Sequence, residues 1–220
     1  MLFPDRIISP KFPPRWIPTG IVFRNRGSRQ VVLQGRQPVV AIFGSSTLRE
    51  EEPVFAQVEA LGGGLARAGC TVMTGGYGGA MAAASRGAHA AGGRVVGVTV
   101  EMFEARGPVN AWVTDRVHTP DLYERLRHLV READAFVAVH GSIGTLTELF
   151  LAWTMLSVNA RPHAPLVLMG PQWRRWLELH REPEFVPGHL FRFVEIADTA
   201  AETVRVVTGA LARPAGEEAR

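Results

Sequence analysis

A chain of 220 residues with 46% hydrophobic and 20% charged residues has the composition of one globular domain, which excludes disorder throughout. The single cysteine excludes an internal disulfide, no apolar run reaches the ~18 residues of a membrane span, and the first residues lack the pattern of a secretory signal. We therefore expect a cytoplasmic protein with no membrane partner.

The net charge of +3 is concentrated at one end of the chain. Residues 1–37 carry seven basic side chains and one acidic side chain among several prolines, so the remaining residues carry three more acidic than basic groups. Such an arm could contact the phosphates of nucleic acid or a membrane surface, and a DNA-handling protein is one alternative. The arm has few aromatic residues and no binding motif, however, so we predict a solvated or subunit-packing arm and no nucleic-acid partner.

The composition disfavours several cofactors. Lys11 is the only lysine and lies in the basic arm, far from any glycine-rich turn, so the Schiff base of a pyridoxal phosphate enzyme is not expected. The seven histidines show no pair at metal-ligand spacing within one predicted element. The first predicted strand ends in Gly-Ser-Ser and not in the Gly-x-Gly-x-x-Gly fingerprint of nicotinamide-dependent dehydrogenases. We predict no metal and no cofactor.

From residue 38 onward, short β-branched apolar runs alternate with longer helical patterns, which is typical of successive βαβ units. We predict a single α/β domain over residues 38–211, a Rossmann-like, doubly wound fold with a mostly parallel sheet and helices on both faces, followed by a polar tail at 212–220. The predicted strands are 39–43, 71–74, 94–100, 116–119, 135–139, 165–169 and 191–196. The predicted helices are 53–68, 79–91, 121–133, 145–157, 172–180 and 199–211, and residues 101–110 are predicted to form a loop.

Two glycine-rich turns, at residues 75–81 and 141–148, follow buried strands and open helices. Right-handed crossovers place the start of every helix at the carboxyl edge of such a sheet, where ligands bind. Glycine lets an anion approach the backbone closely, and the amides at a helix start favour phosphate. We therefore predict a nucleotide-like phosphate ligand at these turns. The alternative is that the glycines only make tight turns and let the helices pack closely on the sheet.

Two charged side chains beside these turns are candidates for chemistry. Arg125 lies in the first turn of the predicted helix 121–133, about 40° from the edge of its apolar stripe, so it is positioned to face the crevice. A solvated surface arginine is the alternative. Glu148 follows Thr145 at the spacing of a capping box, which would explain the carboxylate without any ligand.

Four segments between residues 39 and 170 together resemble one family. The matching residues are Gly44, Ser45 and Ser46; Gly75, Gly76, Gly79 and Met81; Arg125; and Gly141, Gly144, Thr145 and Glu148. They are similar to the motifs of the LOG (Lonely Guy) family, cytokinin riboside 5′-monophosphate phosphoribohydrolases that were long mislabelled as lysine decarboxylases. The resemblance implies a hydrolase that cleaves the N-glycosidic bond of a purine nucleoside 5′-monophosphate, giving free base and ribose 5-phosphate. Members of the family are usually dimers, so we expect a homodimer.

The resemblance also implies roles for the matched residues. It makes Glu148 catalytic, as the carboxylate that stabilises an oxocarbenium-like state and positions water. It makes Arg125 catalytic too, as the group that orients the phosphoribosyl group or the leaving base. The implied substrate- and phosphate-binding residues are Gly44, Ser45, Gly75, Gly76, Gly79, Met81, Gly141, Ser142, Gly144 and Thr145.

Three residues depart from the family's motifs. His140 replaces its proline, Ser142 its second glycine, and Leu126 the lysine after its catalytic arginine. If the second glycine adopts positive φ, serine strains the turn; alternatively, the Ser142 hydroxyl donates one more bond to the ligand. These departures leave open a second class of function, a non-catalytic nucleotide or molybdenum-cofactor carrier of the same superfold.

Overall fold

The computed structural model describes residues 36–105, 107–161, 164–181 and 186–213. The predicted basic arm lies outside the described residues except for Arg36 and Gln37, and so does the predicted polar tail except for Ala212 and Arg213. Arg36 donates two hydrogen bonds to the carboxylate of Asp134, at 2.7 and 2.8 Å. The domain bounds of 38 and 211 stay a prediction.

The strands of the described residues all run parallel in one sheet, which confirms the predicted α/β class. They are β1 (Val39–Phe43), β2 (Thr71–Thr74), β3 (Val95–Val100), β4 (Asp115–Thr119), β5 (Ala135–Ala138), β6 (Leu166–Met169) and β7 (Val194–Ala197). Their order across the sheet is β4-β3-β2-β1-β5-β6-β7. The central strands are wholly buried because helices cover both faces of the sheet.

Helices lie on both faces of the sheet, as predicted. They are α1 (Pro53–Arg67), α2 (Ala80–Ala90), α3 (Glu101–Glu104), α4 (Leu122–Glu132), α5 (Ile143–Ser157), α6 (Gln172–Leu179) and α7 (Ala200–Leu211), and a 3₁₀ helix spans Gly188–Phe193. The apolar sides of α1, α2 and α7 form a core with one face of the sheet, and those of α4, α5, α6 and the 3₁₀ helix form a second core with the other face. Among the described residues, no helix has the length and apolar character to cross a bilayer.

Three predicted elements differ from the structure by more than one residue at either end. The segment predicted as a loop, 101–110, begins with α3, a single turn that is too short to show a helical period in the sequence. The helix predicted from Thr145 begins two residues earlier, at Ile143. The last strand starts at Val194 and not at Phe191. Phe191 is apolar because it packs into the core from the 3₁₀ helix, and not because it belongs to a strand.

The sheet changes its winding direction at β1. The chain proceeds outward from β1 through β2 and β3 to β4, and α4 returns it to β5, which pairs with the other side of β1. In doubly wound sheets the ligand crevice opens at this point, outside the carboxyl ends of the strands. The turns after β1 and β5 therefore flank the expected crevice.

Candidate active site

The turns that follow β1, β2 and β5 meet at the carboxyl edge of the sheet. The amide of Ser45 donates to the carbonyl of His140 at 2.9 Å, and the amide of Ala80 donates to the carbonyl of Ser45 at 2.8 Å. The turn after β1 is therefore hydrogen-bonded to both of its neighbours. The hydroxyl of Ser45 stays within its own turn, 2.9 Å from the Oγ1 of Thr47.

Two of the predicted binding glycines let these turns pack closely. A Cβ added at Gly44 would lie 2.6 Å from both the Cβ of Ala80 and the Cγ2 of Val139, so no side chain fits there. Gly79 has a φ of +65°, and a Cβ there would lie 2.5 Å from the carbonyl carbon of Ser46. In the structure both glycines serve the close approach of neighbouring backbone segments.

The turn after β2 also contains Gly75 and Gly76. Gly76 has a φ of +80°, and its amide donates to the Oγ1 of Thr74 at 3.1 Å, which closes the turn against its own strand. A Cβ added at Gly75 would collide with the Nη2 of Arg125 and would lie 2.5 Å from the Sδ of the buried Met81. Glycine at position 75 therefore leaves the space that the guanidinium occupies.

Arg125 is buried although it carries a charge. Its side chain is 6% exposed in the first turn of α4. Its Nε donates to the carbonyl of Val98 at 2.9 Å, and its Nη1 donates to the Oε1 of Glu148 at 3.2 Å. The Phe103 ring centroid lies 5.6 Å from the Arg125 Cζ, within cation–π distance. The interpretation as a solvated surface arginine is wrong.

Glu148 lies in the second turn of α5 with its side chain 12% exposed. Burial raises its pKa to about 6, and the neighbouring guanidinium of Arg125 offsets part of that rise. The capping-box interpretation is wrong, because Ser142 precedes the helix, Thr145 lies inside its first turn, and the Glu148 carboxylate accepts from Arg125 instead. The arrangement is a buried ion pair whose carboxylate titrates in the range useful for general base catalysis.

The start of α5 presents open backbone donors. The first hydrogen bond of the helix runs from the Leu146 amide to the Ser142 carbonyl at 3.0 Å. In the part of the chain that the structure describes, the amides of Ile143, Gly144 and Thr145 donate to no acceptor, as is usual in a first helical turn. A Cβ added at Gly144 would meet nothing within 4 Å. An anion can therefore approach this helix start.

The conformation of Ser142 and the space left by Gly141 explain how the turn after β5 accommodates a serine where the family motif has a glycine. Ser142 has φ −119° and ψ −156°, which is extended backbone, so the expectation of strain at this serine is wrong. Its side chain does not cap the helix, and the residue is exposed. Gly141 makes room for Thr145, since a Cβ added there would lie 2.5 Å from the Thr145 Cβ.

Sequence reasoning missed three residues of this region: Tyr77, Phe103 and Asn110. Phe103 contacts the guanidinium of Arg125 and lies 6.1 Å, between ring centroids, from Tyr77. The Nδ2 of Asn110 donates to the carbonyl of Tyr77 at 3.0 Å. The sequence does offer a signal for Tyr77, because an aromatic residue flanked by glycines is conspicuous in a predicted binding turn. Phe103 and Asn110 lie in a segment without any periodic pattern, which offers no such signal.

Two observations concern other kinds of ligand. Among the described residues, no three His, Cys, Asp or Glu side chains form a group that could hold a metal ion. A surface cavity of about 220 Å³ lies between β4 and α4, and neither Arg125 nor Glu148 lines it. That cavity is therefore distinct from the candidate active site.

The fold and this edge define a class: a Rossmann-like α/β protein in which glycine-rich turns and an open helix start surround a buried arginine–glutamate pair. The family model described as "Possible lysine decarboxylase" matches residues 81–207. The chain belongs to this family, the LOG family that its motifs resemble.

Proteins similar to this chain include two enzymes and a carrier. The cytokinin riboside 5′-monophosphate phosphoribohydrolase of Mycobacterium tuberculosis is 30% identical over 173 residues, which cover 76% of this chain and 91% of that protein. The pyrimidine/purine nucleotide 5′-monophosphate nucleosidase of Escherichia coli K12 is 30% identical over 164 residues, which cover 70% of this chain and 36% of that protein. The structure of the molybdenum cofactor carrier protein of Chlamydomonas reinhardtii matches with a TM-score of 0.61 and 25% identity, over 81% of this chain and 100% of that one.

Proposed function

We propose that this protein hydrolyses the N-glycosidic bond of a purine nucleoside 5′-monophosphate and releases the free base and ribose 5-phosphate. The observation that carries the proposal is the buried hydrogen bond from Arg125 to Glu148, which is 3.2 Å long and lies at the carboxyl edge of the sheet. Glu148 belongs to α5, the helix whose start is open to an anion. The names of the mycobacterial and Escherichia coli relatives support the substrate class.

Glu148 supplies the negative charge that glycosidic cleavage requires. As the bond from C1′ to the base nitrogen breaks, positive charge develops on C1′ and the ring oxygen, and a carboxylate stabilises it. The oxygen of water forms a bond to C1′, one proton of that water passes to Glu148, and the base leaves with the bonding electrons and takes up a proton from solvent. Glu148 then returns its proton to solvent, which restores the carboxylate. With a pKa of about 6, Glu148 is ionised at neutral pH and still basic enough to accept that proton.

Arg125 and the start of α5 bind the rest of the substrate. The guanidinium keeps Glu148 charged, and its remaining N–H groups orient the phosphoribosyl group or the leaving base. The free amides of Ile143, Gly144 and Thr145 bind the 5′-phosphate, because unpaired amides and the helix dipole both favour an anion. The exposed hydroxyl of Ser142 adds one donor, and Gly144 leaves space for the ligand.

Product analysis tests the proposal. The protein is incubated with AMP and a small panel of purine and pyrimidine monophosphates, and free base is measured by chromatography. We expect base from AMP, and a loss of at least ~100-fold in the variants Glu148→Gln and Arg125→Ala, with the fold checked by circular dichroism. The control Glu132→Gln changes an exposed carboxylate at the end of α4 and should keep the wild-type rate. Full activity in either site variant, or no base from the wild type, refutes the proposal.

A second candidate function is a non-catalytic carrier of a nucleotide or of the molybdenum cofactor. Its support is the match to the Chlamydomonas carrier over 81% of this chain, together with His140 and Ser142, which depart from the family's motif. A carrier binds its ligand without turnover. Saturable binding of AMP by calorimetry, with no free base in the same sample after long incubation, would favour the carrier over the hydrolase.

We also propose that the protein is a homodimer that buries one side of α5. Ile143 and Phe150 on this helix and Val158 at its C-cap are 78%, 39% and 64% exposed. Large apolar side chains exposed on one helix are typical of a protein–protein contact, and a second copy is the partner that the family resemblance implies. Light scattering should give twice the mass of the chain, and a monomer at all concentrations would contradict the proposal.

A further inference from the structure

Tyr77 connects the turn after β2 to the start of α3. Its hydroxyl donates to the carbonyl of Val100 at 2.8 Å and accepts from the amide of Val100 at 3.0 Å. A phenol both donates and accepts, so one side chain satisfies both backbone polar groups of the residue immediately before α3. Tyr77 is buried, and water therefore competes little for these two bonds.

Asn110 ties the other end of the same segment to the same turn. Its amide donates to the carbonyl of Gly76 at 2.8 Å, and its Nδ2 donates to the carbonyl of Tyr77 at 3.0 Å. We refer to residues 100–105 together with 107–110 as the α3 strap. The strap is thus hydrogen-bonded to Tyr77 at its start, and to Gly76 and Tyr77 of the same turn at its end.

The α3 strap reaches the active-site arginine through Phe103. The Phe103 ring lies edge-on to the Tyr77 ring, with 6.1 Å between centroids and 75° between planes, and its centroid is 5.6 Å from the Cζ of Arg125. The turn itself meets the same guanidinium at Gly75, where a Cβ would collide with Nη2. Tyr77 therefore joins the two pieces of chain that border the guanidinium.

We propose that Tyr77 is a positioning residue for Arg125, which it holds, through the α3 strap and Phe103, in the orientation that donates to Glu148. The consequence for catalysis rests on the proposed function, whereas the orientation itself is a property of the free protein. Without the Tyr77 hydroxyl, the amide and carbonyl of Val100 lose this partner, and the start of the strap is then held, among the described residues, by the pairing of β3 with β4 and by the contact of Arg116 with Glu104. Phe103 then moves, and the guanidinium loses part of its enclosure.

The direction of one pKa change separates positioning from a merely structural role. Arg125 is the charged group among the described residues that acts on Glu148, and it lowers a pKa that burial raises. If Arg125 is displaced while Glu148 stays buried, the pKa of Glu148 rises further. If the loss of the hydroxyl only loosens the fold and admits water, the pKa falls towards its ordinary value.

The test titrates Glu148 in the free protein. Carboxyl carbons are followed by NMR in protein labelled with ¹³C-glutamate, and the spectrum of Glu148→Gln assigns the resonance. Tyr77→Phe removes only the hydroxyl, and Phe103→Leu keeps the hydrogen bonds of the strap but removes the aromatic ring. Tyr123→Phe makes the same chemical change at the chain's second tyrosine, which is 83% exposed on α4, and serves as the matched control.

We expect the pKa of Glu148 to rise by about half a unit or more in Tyr77→Phe and Phe103→Leu and to stay in place in Tyr123→Phe. An unchanged or lowered pKa in folded Tyr77→Phe overturns the proposal, and if that variant does not fold, Phe103→Leu decides by the same criterion. In the base-release reaction, the acid limb of kcat/KM should lie at higher pH in Tyr77→Phe and Phe103→Leu than in the wild type, and kcat should fall about 10-fold in both variants. If the wild type releases no base, the proposed function fails and the titration alone still decides the positioning role.

Discussion

The contact between Gly75 and Arg125 allows a quantitative test of the site. A Cβ added at Gly75 would lie 1.9 Å from the Nη2 and 3.2 Å from the Cζ of Arg125. Ordinary contact between such atoms requires ~3.5 Å, so Nη2 must retreat by about 1.6 Å in the variant Gly75→Ala. The bond from Nη1 to Glu148 is already 3.2 Å long, and a displacement of that size breaks it or turns it out of line.

The atoms that obstruct the new methyl group are the ends of two flexible side chains, Arg125 and Met81, so the clash is relieved by moving them. We therefore expect the free energy of unfolding of Gly75→Ala to fall by only about 1–3 kcal/mol. Base release from AMP should fall by about 100-fold, because misplacing a catalytic group by ~1 Å costs roughly that factor. Initial rates at pH 7 and urea unfolding are measured on the same preparation.

The control for this substitution lies in the same turn. A Cβ added at Gly78 would meet only the carbonyl oxygen of Ser46, at an ordinary 3.5 Å, so Gly78→Ala makes the same chemical change without displacing the guanidinium. Gly78→Ala should keep the wild-type rate. A wild-type rate in Gly75→Ala, or an equal loss in both variants, would refute the reasoning.

Three further predictions concern the Arg125–Glu148 pair and the start of α5. Base release should decline as the pH falls through about 6, because protonation removes the charge of Glu148; a pH–rate profile that is flat from pH 5 to 8 would contradict this. Folding raises the pKa of Glu148 from 4.5 to about 6, so the folded state binds this proton more tightly and the carboxyl destabilises the fold as the pH rises through that range. The stability of Glu148→Gln relative to wild type, measured by urea unfolding, should therefore increase by up to about 2 kcal/mol between pH 4 and pH 7, and no increase would argue against a raised pKa. Ser142→Ala should raise KM for AMP about 3- to 10-fold at unchanged kcat, because a hydrogen bond to phosphate worth ~1 kcal/mol is lost; an unchanged KM would remove Ser142 from the binding site.

The sheet was predictable because local sequence patterns mark its strands. β1 and β2 are uninterrupted apolar or β-branched runs that end at Gly44 and Gly75, and both occupy the predicted residues. The topology rule for right-handed crossovers then brings the strand-end turns to one edge without further information. The last strand was misplaced because Phe191 and Phe193 alternate as strand residues do, although they belong to a 3₁₀ helix.

The site was predictable only in part. Helical periodicity places Arg125 next to an apolar stripe, but 23 residues separate it from Glu148, and no spacing rule predicts that contact. A shift of two residues in the start of α5 decides whether Glu148 belongs to a cap or to the site. The bonds from Tyr77 to Val100 join different strand ends, and such long-range contacts leave no periodic trace in a sequence.

Stability does not explain the pair of Arg125 and Glu148. The pKa of Glu148 lies above its ordinary value because burial disfavours the carboxylate by more than Arg125 offsets, and buried ion pairs in proteins can often be replaced by apolar pairs of similar volume without loss of stability. The carboxylate accepts from Arg125 through Oε1, while Oε2 accepts no hydrogen bond from the described residues. A charged carboxylate with one oxygen unpaired interacts most strongly with a positive charge that develops beside it during a reaction. The oxocarbenium-like state of a breaking glycosidic bond is such a charge, which agrees with the catalytic role that we propose for this pair at the switch point of the sheet.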